Sequence, residues 1–379
     1  MTDTRILIAG GGTGGHVFPG IAVADALRAI ADVEVHFAGT PRGIEKTVVP
    51  ARGYPLELLR VEPLKGVGPV KATKGALLAA RATLAAFVLV RRVKPAAILS
   101  VGGYAAGPVA LAGVSLGVPL ALLEPNSMLG LTNRVLVPFC KRAYVAWVEL
   151  ADRIGPEKAR MFGVPLRSGF APRPYAARDT ARVLVIGGSQ GAVALNERMP
   201  QALARVRKTL SRLEVIHQAG RDRGAGVRAA YEKAEIAADV REFVDDMPQV
   251  MEWADVIIAR SGAATVAEVA ALGRASILIP FPFAADDHQF KNAMSLANLG
   301  GAVCVRQDDA TVERLGAELL RLLSDGPLRV RMSDAANGHG KPHAAADIAR
   351  DLLELAGVTP KASATNGTHK NGWKGLEAS

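Results

Sequence analysis

The chain has 379 residues, 49% of them hydrophobic and 22% charged, which suits two domains with sizeable apolar cores. Lys and Arg number 46 against 36 Asp and Glu, and the charge of +10 favours nucleic acid, an anionic membrane or phosphorylated molecules as partners. No zinc-finger spacing or aromatic-rich RNA-binding sheet accompanies that charge, so nucleic acid is not an expected partner, and the well-separated Cys140 and Cys304 are expected to be buried thiols of a reducing compartment.

The first strand is expected at residues 5–9, "RILIA", with no secretory leader before it. It runs into "GGGTGGH", in which Gly10, Gly12 and Gly15 satisfy Gly-x-Gly-x-x-Gly. Such a loop bares backbone N–H groups at a helix start, where negative charge is favoured. A dinucleotide site also needs an acid at the tip of the second strand, and "VHFAGTPRG" has none, which argues against a dehydrogenase. A tight turn without a ligand stays open as a reading. His16 closes the loop, as a packing residue or as a general base titrating near neutrality. Thr13 offers its hydroxyl to a ligand or to the helix as a cap.

Strands follow at 33–38 and 56–61. Residues 64–95 set Lys65, Lys71, Lys74, Arg81, Arg91, Arg92 and Lys94 around apolar runs with no acid among them. That pattern suits an anionic membrane surface, or a core helix with solvated basic ends. Residues 95–123 carry no charge and are long enough to cross a bilayer. Their prolines and glycines favour strand, glycine turn, helix, turn and strand instead, with strands at 96–101 and 120–124.

The plan repeats from residue 181: "ARVLVIGGSQGAVALNE" is again strand, glycine loop and helix, with further strands at 213–218, 239–244, 255–259, 276–280 and 302–305. The alternation predicts an α/β protein of two tandem doubly wound parallel sheets facing a cleft, with the boundary in the Pro-, Gly- and Arg-rich stretch 153–179, between 166 and 167. The expected domains are 1–166 and 167–340; from about 358 to 379 the sequence is polar and patternless, expected to be disordered. Ser189 places a hydroxyl beside free amides, which suits a diphosphate. "ARSGAATVAE" (259–268) opens another helix after a strand; Thr265 and Glu268 form a capping box there, or Glu268 accepts from sugar hydroxyls. Asp286, Asp287 and His288 invite a metal, yet no Asp-x-Asp pair occurs in the chain, so no metal is expected and helix N-termini, Ser189 and arginines are left to balance a diphosphate.

"GGGTGGHVFPGIAVA", "SVGGYAAGP", "EPNSMLGLTNR", "GVPLR", "GGSQGA", "EFVDDM", "RSGAATVAE" and "DDHQFKNA", in this order, resemble the peptidoglycan N-acetylglucosaminyltransferases of bacteria from residue 5 to about 356. The resemblance implies a GT-B fold: two Rossmann-like domains facing a cleft, with a last helix (341–357) returning to the first. It implies inverting transfer of GlcNAc from UDP-GlcNAc to the muramyl 4-hydroxyl of lipid I, undecaprenyl-pyrophosphoryl-MurNAc-pentapeptide, to give lipid II. It also implies a peripheral location on the cytoplasmic face of the inner membrane. The implied partners are UDP-GlcNAc, lipid I, an anionic membrane surface and other cell-wall synthesis proteins, with no cofactor.

Carried over by motif, Thr13, Gly14 and Gly15 contact the donor-sugar side, with Asn126 nearby. Arg167 and Ser189 fall at phosphate and nucleotide positions, and Val244 falls where backbone groups read the uracil. Ala263, Ala264, Thr265, Val266, Ala267 and Glu268 match the sugar-nucleotide loop, with Glu268 on the ribose; Gln289 matches a donor-sugar contact. His16 is the candidate general base, with Glu124 and Asn126 next. Two positions depart from the family pattern: Pro125 stands where glutamine is usual, and Val164 where asparagine is. The alternatives are a related GT-B enzyme with another sugar nucleotide or a diacylglycerol acceptor, an NAD-dependent oxidoreductase, and a non-catalytic nucleotide-binding scaffold at the membrane.

Overall fold

The computed structural model describes residues 4–61, 69–188 and 190–361, with backbone alone over 69–80. The expected disorder of the tail beyond 361, the placement of Ser189, and the side chains of Lys65, Lys71 and Lys74 lie outside the described residues.

The apolar runs of the first half form β1 (Arg5–Gly10), β2 (Glu34–Gly39), β3 (Leu56–Leu58), β4 (Ala97–Gly102), β5 (Leu120–Glu124), β6 (Arg142–Val145) and β7 (Ala159–Arg160). They build one sheet in the order β3-β2-β1-β4-β5-β6-β7, parallel throughout. Between them lie α1 (Gly14–Ile30), α2 (Glu45–Ala51), α3 (Pro69–Val93), α4 (Ala106–Ser115), α5 (Leu131–Leu136) and α6 (Val148–Ile154). Parallel strands are buried on both faces, and β1 shows it: Ile6 and Ile8 enter one core with Val17 and Ile21 of α1, while Leu7 and Ala9 enter another with Leu89 and Val90 of α3.

The second half gives β8 (Ala181–Ile186), β9 (Leu213–Gln218), β10 (Asp239–Arg241), β11 (Val256–Ala259), β12 (Ala275–Leu278) and β13 (Ala302–Cys304), parallel and ordered β10-β9-β8-β11-β12-β13. Its helices are α7 (Val193–Arg207), α8 (Gly224–Lys233), α9 (Met247–Trp253), α10 (Ala263–Leu272), α11 (His288–Ala297), α12 (Val312–Ser324) and α13 (Gly326–His339). In both sheets the chain reverses direction beside the first strand, and ligands of open α/β sheets bind at that switch point, beyond the carboxyl ends of the strands. Here those ends carry the glycine loops.

The uncharged stretch 95–123 is β4, α4 and β5, and among the described residues no helix is long and apolar enough to cross a membrane. Strands β6 and β7 were not expected from the sequence. The edge strands β3 and β10 stop after three residues each, short of the expected six. Cys140 is buried as expected, whereas Cys304 is half-buried.

Residues 161–180 hold no helix or strand and link the sheets. A second crossing follows α13, after which α14 (Ala344–Leu355) packs on α1, with Ile348, Ala349, Leu352 and Leu353 in the first sheet's core. Asp351 fixes it there, accepting from Tyr144 Oη at 2.8 Å and Arg142 Nε at 3.2 Å, with Arg160 Nε 3.6 Å away. The two crossings touch: a Cβ at Gly163, whose φ is +93°, would sit 2.7 Å from Lys341 Cβ, so glycine alone fits.

Candidate active site

In the first lobe the loops after β1, β4 and β5 meet. A Cβ at Gly10 would lie 2.1 Å from the Gly102 carbonyl oxygen, so the β1 and β4 loops are in direct backbone contact. Thr13 is the exposed N-cap of α1, with no side-chain cap bond among the described residues. His16 follows in the first turn, half-buried, its Nδ1 3.5 Å from Thr13 Oγ1. Its Nε2 edge lies over Gly102, where a Cβ would be 3.4 Å from His16 Nε2 and 3.7 Å from Asn133 Nδ2. Gly14 rests on the Phe18 ring and Gly15 is exposed.

Glu124 ends β5 and is 3% exposed. Its carboxylate accepts from the Asn126 amide at 3.2 Å, Asn126 Nδ2 at 3.1 Å, the Gly130 amide at 2.9 Å and Asn133 Nδ2 at 3.2 Å. Asn133 also takes the Ser100 hydroxyl at 3.0 Å. With its oxygens committed to these donors, Glu124 orients Asn126 and Asn133. The Pro125 carbonyl accepts from Trp147 Nε1 at 3.2 Å.

In the second lobe α7 and α10 start behind glycine loops, and neither carries a side-chain cap bond among the described residues. The first turn of such a helix leaves amides without intrahelical partners, a ready anion site. α10 begins at Ala263, with Gly262 as its N-cap, so Thr265 lies inside the helix and the capping-box reading of Thr265 and Glu268 fails. Ala263 and Val266 are buried, while Ala264, Thr265, Ala267 and Glu268 are partly exposed. Val244 is core, packed with Val164 and Leu166, so only its backbone is available to a ligand. Val164 thus takes an apolar place where an asparagine would need polar partners.

Gln289 knits two loops together. Its carbonyl accepts from Ser261 Oγ at 2.8 Å and its Oε1 from the Phe281 amide at 3.0 Å. Arg260 lies alongside, donating to the Ile279 and Pro280 carbonyls at 3.2 and 3.1 Å. Asp287 pairs with Arg306 at 3.0 Å and His288 Nδ1 donates to the Ala285 carbonyl at 2.7 Å. No group of His, Cys, Asp and Glu among the described residues is placed to hold a metal.

Arg167 and Glu268 stand 101 positions apart in the chain, yet Arg167 Nη2 is 3.3 Å from Glu268 Oε1. Burial pushes the Glu268 carboxyl above the ordinary carboxylate range, and the Arg167 guanidinium opposes that rise. The same guanidinium lies over the Phe18 ring of α1, 4.8 Å from its centroid. Glu268 of one lobe is therefore joined, through one arginine, to the helix that carries His16 in the other.

Two domain descriptions fit the two halves: the glycosyltransferase family 28 N-terminal domain over residues 6–145 and its C-terminal domain over residues 182–349. A Sorangium cellulosum UDP-N-acetylglucosamine–N-acetylmuramyl-(pentapeptide) pyrophosphoryl-undecaprenol N-acetylglucosamine transferase is 54% identical over 93% of this chain and 88% of its own. The chain belongs to glycosyltransferase family 28. An Anaeromyxobacter dehalogenans transferase of the same description is 43% identical, covering 93% of each chain. The crystal structure of Acinetobacter baumannii MurG superposes with a TM-score of 0.74 at 31% identity, over 93% of this chain and 99% of that one. The fold is GT-B, and the chain is a family 28 glycosyltransferase of MurG type. Within this family 28 enzyme the sequence pointed to every loop just described, but not to the Asn133–Ser100 pair or the Arg260 clamp. Asn133 sits inside the quoted "EPNSMLGLTNR" and Arg260 inside "ARSGAATVAE"; no spacing rule marks either as a partner of distant loops.

Proposed function

We propose that this enzyme transfers GlcNAc from UDP-GlcNAc to the muramyl 4-hydroxyl of lipid I, with inversion, forming lipid II for peptidoglycan synthesis. The observation that carries the reading is the Arg167 bridge, which draws a donor-type acid and an uncapped helix start of one lobe toward the His16 loop of the other. The domains are taken as 1–166 with the returning helix, and 167–340. UDP lies against α7 and α10 of the second: Val244 presents backbone to the uracil, Glu268 accepts from the ribose, and Ser189, Arg167 and the amides at Ala263–Thr265 meet the diphosphate. Gln289, Thr13, Gly14, Gly15 and Asn126 surround the sugar. His16 takes the acceptor proton as the oxygen attacks the anomeric carbon from the face opposite UDP, and preorganised donors stabilise the departing diphosphate in a dry cleft.

The acceptor is lipid-borne, so the enzyme sits peripherally on the cytoplasmic face of the inner membrane. In support, α3 buries Leu89, Val90 and Val93 in the core and leaves Leu84 and Val88 67% and 61% exposed, one helical turn apart, between Arg81 and Arg92. With Leu58 of β3 they line a groove of about 480 Å³, where Arg92 is paired with Glu57 at 2.7 Å and Arg81 borders the apolar turn. The exposed apolar turn beside Arg81 suits an anionic lipid surface. Other cell-wall synthesis proteins are partners in this reading, and nucleic acid is not.

The test is incubation with radiolabelled UDP-GlcNAc and a lipid I analogue, with UDP-GalNAc as control. Label in the lipid product from the first donor alone is expected. UDP-GlcNAc binding without transfer, or transfer to diacylglycerol in preference, overturns the reading.

A further inference from the structure

The first lobe's glycine loop is occupied from within. Glu45, the first residue of α2, is 1% exposed. Its Oε2 accepts from the Gly12 amide at 2.8 Å, and its Oε1 from the Thr40 amide at 2.8 Å and the Thr40 hydroxyl at 2.9 Å. The space it fills is made by three glycines, one in the loop after β1, one ending β2 and one in the turn that follows it. A Cβ at Gly11, Gly39 or Gly43 would come within 2.4, 2.5 or 1.9 Å of Glu45 side-chain atoms. Loops of this kind use their amides and lack of side chains to approach a phosphate. Here the same features serve a carboxylate of the protein's own.

We propose that Glu45 is a positioning residue for the transfer reaction: a resident anion that takes the place of a bound phosphate in the first glycine loop. One effect follows: the Gly12–Thr13 segment is held at one end by Glu45, and the turn beyond it presents His16, whose own amide donates to the Thr13 carbonyl at 3.1 Å. The proposal rests on the transferase reading above, and its test keeps the two apart.

Glu45→Ala and Glu45→Gln are made in the full chain and assayed with UDP-GlcNAc and a soluble lipid I analogue. Backbone hydrogen exchange of the peptide spanning residues 10–16 is measured in parallel. The carboxylate lies behind Gly12, Thr40 and Gly43, which border a cavity of about 420 Å³, so a small anion can reach the space left by alanine. For both variants kcat is expected to fall roughly tenfold or more, with the UDP-GlcNAc KM within about twofold, because a misplaced catalytic loop costs turnover before binding. In the Ala variant, millimolar formate restores kcat several-fold and slows the quickened exchange of the 10–16 peptide. The Gln variant has the same shape but an amide facing the Gly12 N–H, and formate does nothing for it.

A merely structural glutamate would lower melting temperature and both kinetic constants together, with no response to formate. Wild-type kcat in either folded variant, or no formate effect on the Ala variant, overturns the proposal; if the Ala variant fails to fold, the near-isosteric Gln variant decides through kcat and exchange. A wild-type enzyme that transfers no GlcNAc overturns the transferase reading instead, and the exchange arm still judges the hold of Glu45 on the loop.

Discussion

Arg167 lies between Glu268 of α10 and Phe18 of α1, 3.3 Å from the carboxylate and 4.8 Å from the ring centroid. Its Nε is buried with no hydrogen-bond partner among the described residues, so the guanidinium is held by these two contacts and by Phe170, 5.7 Å away. Removing either contact should have a different signature. Glu268→Gln should raise the UDP-GlcNAc KM roughly tenfold, the scale of a lost hydrogen bond to a charged group. Phe18→Ala leaves the ion pair intact and frees α1; UDP binding by calorimetry should stay within about twofold while kcat falls several-fold. Equal effects of both substitutions on UDP binding would count against the bridge.

Glu268 also sets a pH response. Its carboxyl titrates above the ordinary 4.5, chiefly because of burial. The folded protein therefore holds this proton more tightly than the unfolded chain, and acidification through the raised value stabilises the empty protein while neutralising the carboxylate proposed to accept from the ribose. UDP affinity should weaken on acidification, beginning above the range where a free glutamate titrates. Calorimetric titrations from neutral pH down toward that range should show the slope in the wild type and its loss in Glu268→Gln.

His16→Ala should lower turnover by roughly a hundredfold or more, the usual worth of a general base. Asn126→Ala, at a residue proposed to lie beside the donor sugar, should raise the UDP-GlcNAc KM without that loss. An alanine enzyme with unchanged melting temperature and near-wild-type kcat would remove His16 from the chemistry.

His217 gives the second lobe an acid limb. It is fully buried, between Tyr231 Oη at 2.9 Å from Nδ1 and Asn196 Oδ1 at 3.1 Å from Nε2, and burial lowers it from 6.5 to about 3. Unfolding lets it take up a proton anywhere between those values, so stability present above pH 6.5 is lost as pH falls, by about 1.4 kcal/mol per unit. Urea denaturation from neutral pH downward should show that slope, and His217→Gln should flatten it while costing about 1–3 kcal/mol at neutral pH.

The exposed turn of α3 should govern lipid binding. Leu84→Ser with Val88→Ser removes two apolar side chains each worth about 1.5–3 kcal/mol when buried in lipid. Vesicle sedimentation with anionic lipid should show at least a tenfold weaker partition, while kcat on a soluble acceptor stays unchanged.

Most strands were legible because a parallel sheet buries both faces, and an uncharged, mostly apolar run such as Ala97–Gly102 announces itself. β7 could not be read: it is two residues, Ala159 and Arg160, made a strand by its neighbour alone. The helix start at Ala263 was legible as a loop, and of the two readings of Thr265 and Glu268 the capping box is excluded by Gly262 at the cap. Glu45 had no local signal. Besides Thr40, its partners are an amide 33 positions earlier and three glycines whose shared purpose appears only when the chain closes around one carboxylate. Arg167 and Glu268 were each named, but not as a pair.

The contact of Gly163 with Lys341 has a mechanical meaning. The polypeptide passes between its halves twice, and both passages run side by side through one spot. Any rotation of one lobe against the other has to bend the chain at this spot, like a door whose two hinges share one pin. A bulky side chain at residue 163 would wedge that pin, jamming the swing of the halves while leaving each one's interior untouched.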